Sequence, residues 1–181
     1  MNKKGFTLIE LLAVIVIMGI LMLVAIPAVQ RYIINSRKDT FVNTVQEYAN
    51  AIKTLWTANE ITCNSNVSGQ ITADGYYCVE IDSDNDKILE SGGKSPWDKS
   101  KLRGYVCYKI ATTSGVTTKN WYIMLVDANG HGIRPRSTNT RDLNFAELAS
   151  LSRADVRDSG ATFMGISGMS PSNSIVCTIN D

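Results

Sequence analysis

The sequence predicts an α+β protein: one long N-terminal helix, kinked at a proline, whose second half packs on an antiparallel β-sheet. Three observations carry the prediction. An uncharged run from Leu11 to Ala28 passes directly into an amphipathic helical pattern. Three segments of strand composition follow, separated by turn signals, and a fourth closes the chain. Four cysteines are spread through the part rich in strands.

Residues 6 to about 59 read as a single helix, which at 1.5 Å per residue gives a rod of roughly 80 Å. The sixteen residues from Leu11 to Ile26 are apolar apart from Gly19. Pro27 lacks a backbone donor and crowds the preceding turn, so the helix should bend there, with Gly19 loosening it further. Beyond Pro27 the apolar positions narrow to a stripe. Phe41, Val45, Tyr48, Ile52 and Leu55 recur at steps of 4, 3, 4 and 3, which is one helical face. Ala49 and Trp56 widen it, and Asn35, Lys38, Asp39, Asn43, Gln46, Asn50 and Lys53 fall mostly elsewhere. One helix should therefore meet lipid or other helices along its first half and lie under a domain along its second.

Glu10 is the anomaly at the mouth of the run. A carboxylate within an apolar segment costs about 3 kcal/mol at a helix centre and less near an end, and such a residue is a functional candidate whose partner should be named. Two lysines, a glycine and a phenylalanine stand before it, in the order Lys3-Lys4-Gly5-Phe6-Thr7-Leu8-Ile9-Glu10. This stretch resembles the processing signal of class III signal peptides, found in type IV pilins and in the pseudopilins of type II secretion and competence systems. The resemblance covers residues 1 to about 30, with Gly5, Phe6, Glu10 and Pro27 where the family has them. It implies cleavage between Gly5 and Phe6 by a prepilin peptidase of the membrane, N-methylation of Phe6, and assembly with identical or related subunits into a helical filament. The domains are then 1–5, a leader that is removed; 6–30, a transmembrane and filament-core helix; and 31–181, a head that includes the amphipathic half of the helix. Cleavage would expose an ammonium on Phe6 able to neutralise Glu10 of the same or a neighbouring subunit. A charge pair taken out of water specifies register more than it adds stability.

Two other readings of the N-terminus compete with this one. A secretory signal peptide also combines lysines, an apolar region and a small-residue cleavage site, and Ala25-Ile26-Pro27-Ala28 offers such a site. Glu10 is misplaced for it, and the helical pattern continues past Ala28. No cysteine lies near the run, which excludes a lipoprotein anchor. A permanent membrane anchor needs about 20 apolar residues, and Phe6 to Val29 meets that length. Lys3 and Lys4 favour a cytoplasmic N-terminus, while Arg31, Arg37 and Lys38 on the far side weaken the inference.

Residues 60 to 75, rich in Asn, Ser, Thr and Gly, read as a loop that begins around Cys63. Tyr76 to Ile81, Tyr105 to Ile110 and Trp121 to Val126 have strand composition, with a hairpin around Gly115. Asn129-Gly130 marks a second turn, after which Ile133 opens a short return strand. Trp97, in the Gly92 to Trp97 loop, should be pinned on the domain. Asn144 to Ser152 reads as a short helix, with Asn144 as cap and Glu147 completing a capping-box pattern. Gly165 to Asn173 is a loop, and Ser174 to Ile179 a last strand.

Asp82, Asp84 and Asp86 open like a calcium loop, but its glycine position is Lys87 and its twelfth position is Gly93 rather than a glutamate. A solvated turn is the plainer reading, and the sequence calls for no cofactor or metal. His131, the single histidine, reads as a turn residue. Arg134, Arg136 and Arg141 form a small basic cluster that reads as a solvated loop. Removing the first five residues takes away Lys3 and Lys4, leaving 16 of the 18 basic side chains against 17 acidic ones. That balance gives no reason to expect a nucleic-acid partner. Four cysteines in an exported chain point to two disulfides, for which three connectivities are open. Pairing Cys63 with Cys78 and Cys107 with Cys177 resembles the family habit of stapling the C-terminal region to the sheet.

The resemblance implies the pilin fold and a structural role: a type IV pilus subunit, held in the cytoplasmic membrane before assembly and displayed at the cell surface afterwards. A pseudopilin of a secretion or DNA-uptake machine is the alternative. An anchored extracellular enzyme is a third, and the sequence offers it no catalytic constellation.

Overall fold

The computed structural model describes residues 5–63, 74–82, 88–89, 93–133, 146–160 and 174–180. Helix α1 spans Leu8–Thr57 and runs without interruption through Gly19 and Pro27. The chain divides into two compact units, the first ending at Ser36 and the second comprising Arg37–Asp181. In the first, α1 carries apolar side chains that are exposed among the described residues. In the second, Phe41, Val42, Val45, Tyr48, Ala49 and Ile52 of α1 are buried in the main core. The amphipathic stripe thus does what its spacing predicts, with Val42 added to it.

Eight strands among the described residues form one sheet. They are β1 (Ile61–Cys63), β2 (Gly75–Asp82), β3 (Leu102–Thr113), β4 (Val116–Asp127), β5 (Gly132–Ile133), β6 (Ala146–Glu147), β7 (Val156–Arg157) and β8 (Ser174–Ile179). Their order is β1-β8-β2-β3-β4-β5-β7, with β6 paired to β4. All neighbours are antiparallel except β2 and β8, which run parallel from Tyr76↔Ser174 to Val79↔Cys177. The sheet is therefore mixed, because the last strand enters between the first two.

Alternation along the strands sorts the side chains. Tyr77, Val79 and Ile81 of β2, Leu102, Val106 and Ile110 of β3, and Ile123 and Leu125 of β4 share the core with α1. On the opposite face Cys78, Tyr105 and Cys107 form a second buried cluster, flanked by Tyr76, Tyr122 and Met124. Close approach of β3 and β4 requires Gly104: a Cβ there would lie 1.9 Å from the Met124 carbonyl oxygen. The β3–β4 hairpin closes through Ser114 and Gly115, both at positive φ, a backbone that a tight two-residue hairpin turn demands. Trp97 is pinned as expected, edge-on to Phe41 with ring centroids 5.6 Å apart.

Three expectations are corrected. Ala146–Glu147 is a strand against β4, followed only by a 3-10 turn at Leu148–Ser150, in place of a helix over 144–152. Backbone pairing with Tyr122 and Ile123 outweighs the local capping pattern. Cys63 belongs to β1 rather than to a loop. The disulfides join Cys63 to Cys177 and Cys78 to Cys107, not Cys63 to Cys78 and Cys107 to Cys177. Both are cross-strand links between directly opposed residues. Insertion of β8 separates Cys63 from Cys78, and Cys107 lies two strands from Cys177 on the other face. Asp84, Asp86, the arginine cluster 134–141 and the loop 165–173 lie outside the described residues.

In the chain-entropy view a link over the 114-residue separation of Cys63 and Cys177 stabilises by up to about 5 kcal/mol. Peptide mapping without reduction should recover Cys63 joined to Cys177, and the double variant Cys63→Ser/Cys177→Ser should lose about 2–5 kcal/mol in denaturant unfolding. A Cys63–Cys78 peptide would contradict the strand order.

Candidate functional site: the N-terminal segment

Gly5, Phe6 and Thr7 precede α1 in non-helical conformation. Phe6 is 88% exposed, and open space surrounds Gly5. Thr7 caps the helix. Its backbone N–H and its hydroxyl both donate to Glu10 Oε2, each at 2.9 Å, while the Glu10 N–H points back to Thr7 Oγ1 at 3.4 Å. Thr-x-x-Glu is a capping box, and the acidic residue falls where the helix dipole favours negative charge. The spacing of Thr7 and Glu10 announces this arrangement, a role for Glu10 that the reading of the segment as a processing signal passed over. Within one chain the carboxylate is thus held at the helix start by donors of its own segment.

Behind the cap the apolar surface is continuous. Leu11, Ile15, Met18 and Met22 are more than half exposed, and so are Leu12, Val16, Ile20 and Leu23 on other sides of the helix. α1 is long and apolar enough to cross a membrane. Gly19 meets nothing within 4 Å of where a Cβ would stand, so its face is smooth and open. Pro27 leaves the carbonyl one turn before it without a helical donor. The segment offers no chemistry beyond one carboxylate and a large uncovered apolar surface; what it can do is pack.

A second polar constellation lies in the head, around the Asp127 carboxylate. Ser95 Oγ donates to Asp127 Oδ2 at 2.6 Å, and His131 Nδ1 to the same oxygen at 2.6 Å. The backbone N–H groups of Asn129 and His131 donate to Oδ1 at 2.9 and 2.8 Å. The His131 ring stacks on Trp97 at 4.6 Å. Asp127 stands between serine and histidine, whereas nucleophilic catalysis needs the histidine between the other two. Asp98, Asp127 and His131 are close enough to share an ion. Both Asp127 oxygens, however, already accept two hydrogen bonds each, and Asp98 accepts from the Ser100 N–H at 2.8 Å and from the Asn129 amide. The arrangement fastens the 127–131 turn and Trp97 to the core, which makes His131 the turn residue that its sequence setting predicts. Asp82, of the acidic stretch, accepts from Arg103 Nη2 at 3.2 Å across the β2–β3 pair.

An apolar helix with a capped acidic start, whose second half packs on a disulfide-linked sheet, is the α+β architecture of the pilin fold. Residues 1–26 match the family model of the prokaryotic N-terminal methylation motif. Over 120 residues the chain is 33% identical to the fimbrial protein of Moraxella nonliquefaciens, an alignment taking in 65% of this chain and 71% of that one. No solved structure gives a significant match. The chain belongs to the type IV pilin and pseudopilin family, whose members are structural subunits.

Replacing Asp127 by alanine removes the acceptor of four hydrogen bonds, among them that of the buried Ser95 hydroxyl, and frees the turn. We expect a loss of about 3 kcal/mol in denaturant unfolding, with Ser95→Ala costing about 1. Losses below about 0.5 kcal/mol for Asp127→Ala would show that the network does not hold the head together.

Proposed function

We propose that the chain is the building subunit of a type IV pilus, polymerising through its N-terminal helix once residues 1–5 are removed. The observation that carries this reading is the helix from Leu11 to Ile26, apolar on every side and exposed among the described residues. The methylation motif and the fimbrial relative support the same reading. Before assembly lipid covers the run, and the subunit waits in the cytoplasmic membrane with its head outside. In the filament, like helices replace lipid. That exchange has little hydrophobic driving force, so packing and polar pairing supply the specificity. Residues 6–30 then form the filament core, with Gly19 and Pro27 as the points where the helix yields, and 31–181 the surface.

Hydrolysis of the Gly5–Phe6 peptide bond leaves a carboxylate on the leader and an ammonium on Phe6. N-methylation keeps the positive charge. In this reading the ammonium of one subunit meets Glu10 of its neighbour, and the axial position of each subunit is set where that pairing closes. The capping box keeps Glu10 fixed at the helix start until then.

Mass spectrometry of the mature N-terminus should find Phe6 first, carrying one methyl group. Gly5→Leu should leave residues 1–5 attached, visible as slower migration on a gel. A mature chain starting elsewhere overturns the processing scheme.

Glu10→Gln separates the two roles of Glu10. A glutamine still completes a capping box but carries no charge. The variant should be cleaved normally and yield at least tenfold fewer filaments. Filaments at the native level would show that the cap matters and the charge does not.

A further inference from the structure

Beside the amphipathic half of α1 lies a groove of about 350 Å³ that neither the Asp127 network nor the N-terminal segment uses. It falls within the roughly 300–1,000 Å³ of small-molecule sites. α1 contributes Gln46, Asn50 and Lys53, β4 contributes Lys119 and Trp121, and β6 contributes Glu147.

Two features distinguish this groove from ordinary surface relief. Its wall is rigid and aromatic: Trp121 is half-buried, held edge-on by Trp56 at 5.7 Å and by a tilted Tyr108 ring at 4.9 Å. Its polar groups are also uncommitted. Among the described residues the side chains of Gln46, Asn50, Lys119 and Glu147 form no hydrogen bond or ion pair. Lys53 makes only a long contact over the Trp121 ring, 5.8 Å from its centroid. Other charges of the head do find partners, as in Lys38–Asp158 and Arg153–Asp39. Here two ammonium groups, three amides and a carboxylate line one groove with the Trp121 indole and leave each other unpaired.

We propose that this groove binds an acidic monosaccharide unit, its ring laid against the Trp121 indole and its carboxylate between Lys53 and Lys119. A pyranose presents C–H groups on one face and hydroxyls around its rim. The indole suits the face, and the Gln46 and Asn50 amides with Glu147 suit the rim. Two cations against one anion select a single negative charge. A phosphate dianion or a nucleic-acid backbone would meet the Glu147 carboxylate, with only two lysines to offset it. Lys53 exchanges a weak cation–π contact for a charge-assisted hydrogen bond, roughly twice as strong as a neutral one.

The test is titration of the detergent-solubilised full-length protein with glucuronate, followed by ligand-observed NMR, with glucose as the neutral control. It reads binding alone and does not depend on filament formation. Saturable binding of glucuronate at least tenfold tighter than that of glucose is expected, weakening as salt rises. Lys119 is exposed and unpaired, so Lys119→Glu should keep the fold and weaken glucuronate binding at least tenfold, while Lys94→Glu, remote from the groove, leaves it unchanged. No saturable signal, equal binding of glucose, or native affinity in Lys119→Glu would each overturn the proposal.

Discussion

The seal between one face of α1 and the sheet is the contact on which the head depends. Phe41, Val45, Tyr48 and Ile52 are the ridge that Tyr77, Val79, Ile81, Val106, Ile123 and Leu125 close over. Each such side chain contributes about 1.5–3 kcal/mol by leaving water. Without the ridge, the strands would have one of their two apolar faces open to solvent. The same helix carries a run of 16 residues with no such partner among the described residues. Its two halves therefore obey different rules: the later half is satisfied by folding, while the earlier one stays exposed among the described residues.

The order of the strands follows from how the sheet is completed. β1 reaches β2 only through β8, and each disulfide reinforces an antiparallel pair that the ladder already forms. The two links stand on opposite faces, Cys177 with the helix-side core and Cys78 with Cys107 in the smaller cluster behind. Oxidation thus reinforces the antiparallel pairings that flank the parallel β8–β2 contact, one on each side of it.

Much of the architecture was legible in the sequence because it is written in periods. The 4-3-4-3 spacing located the buried face of α1, and alternating segments around Tyr77, Val106 and Ile123 located the central strands. Asn129-Gly130 and Gly115 marked the turns. What escaped was non-local. The parallel placement of β8 depends on which edges remain open after β2, β3 and β4 have paired, and nothing near Ser174 encodes it. Cys63 and Cys78 are close in sequence and so invited pairing, but a strand drawn from the other end of the chain comes between them. The short helix expected over 144–152 rested on a local capping pattern, and β4 offered Ala146 and Glu147 a better use of their backbone. At the N-terminus the opposite happened: the Thr7–Glu10 box was fully local and was overlooked because the surrounding residues already had a reading. The groove beside Trp121 depends on the packing of α1, β4 and β6 and has no signature in any one stretch.

The slot between β1 and β2 is filled by a strand drawn from far along the chain, with 114 residues separating Cys63 from Cys177. A fragment cut by a protease before Ser174 would keep α1 and most strands yet leave β1 adrift and Cys63 without its mate. The topology therefore acts as a completeness check on the head: only a chain that reaches Ile179 can close it.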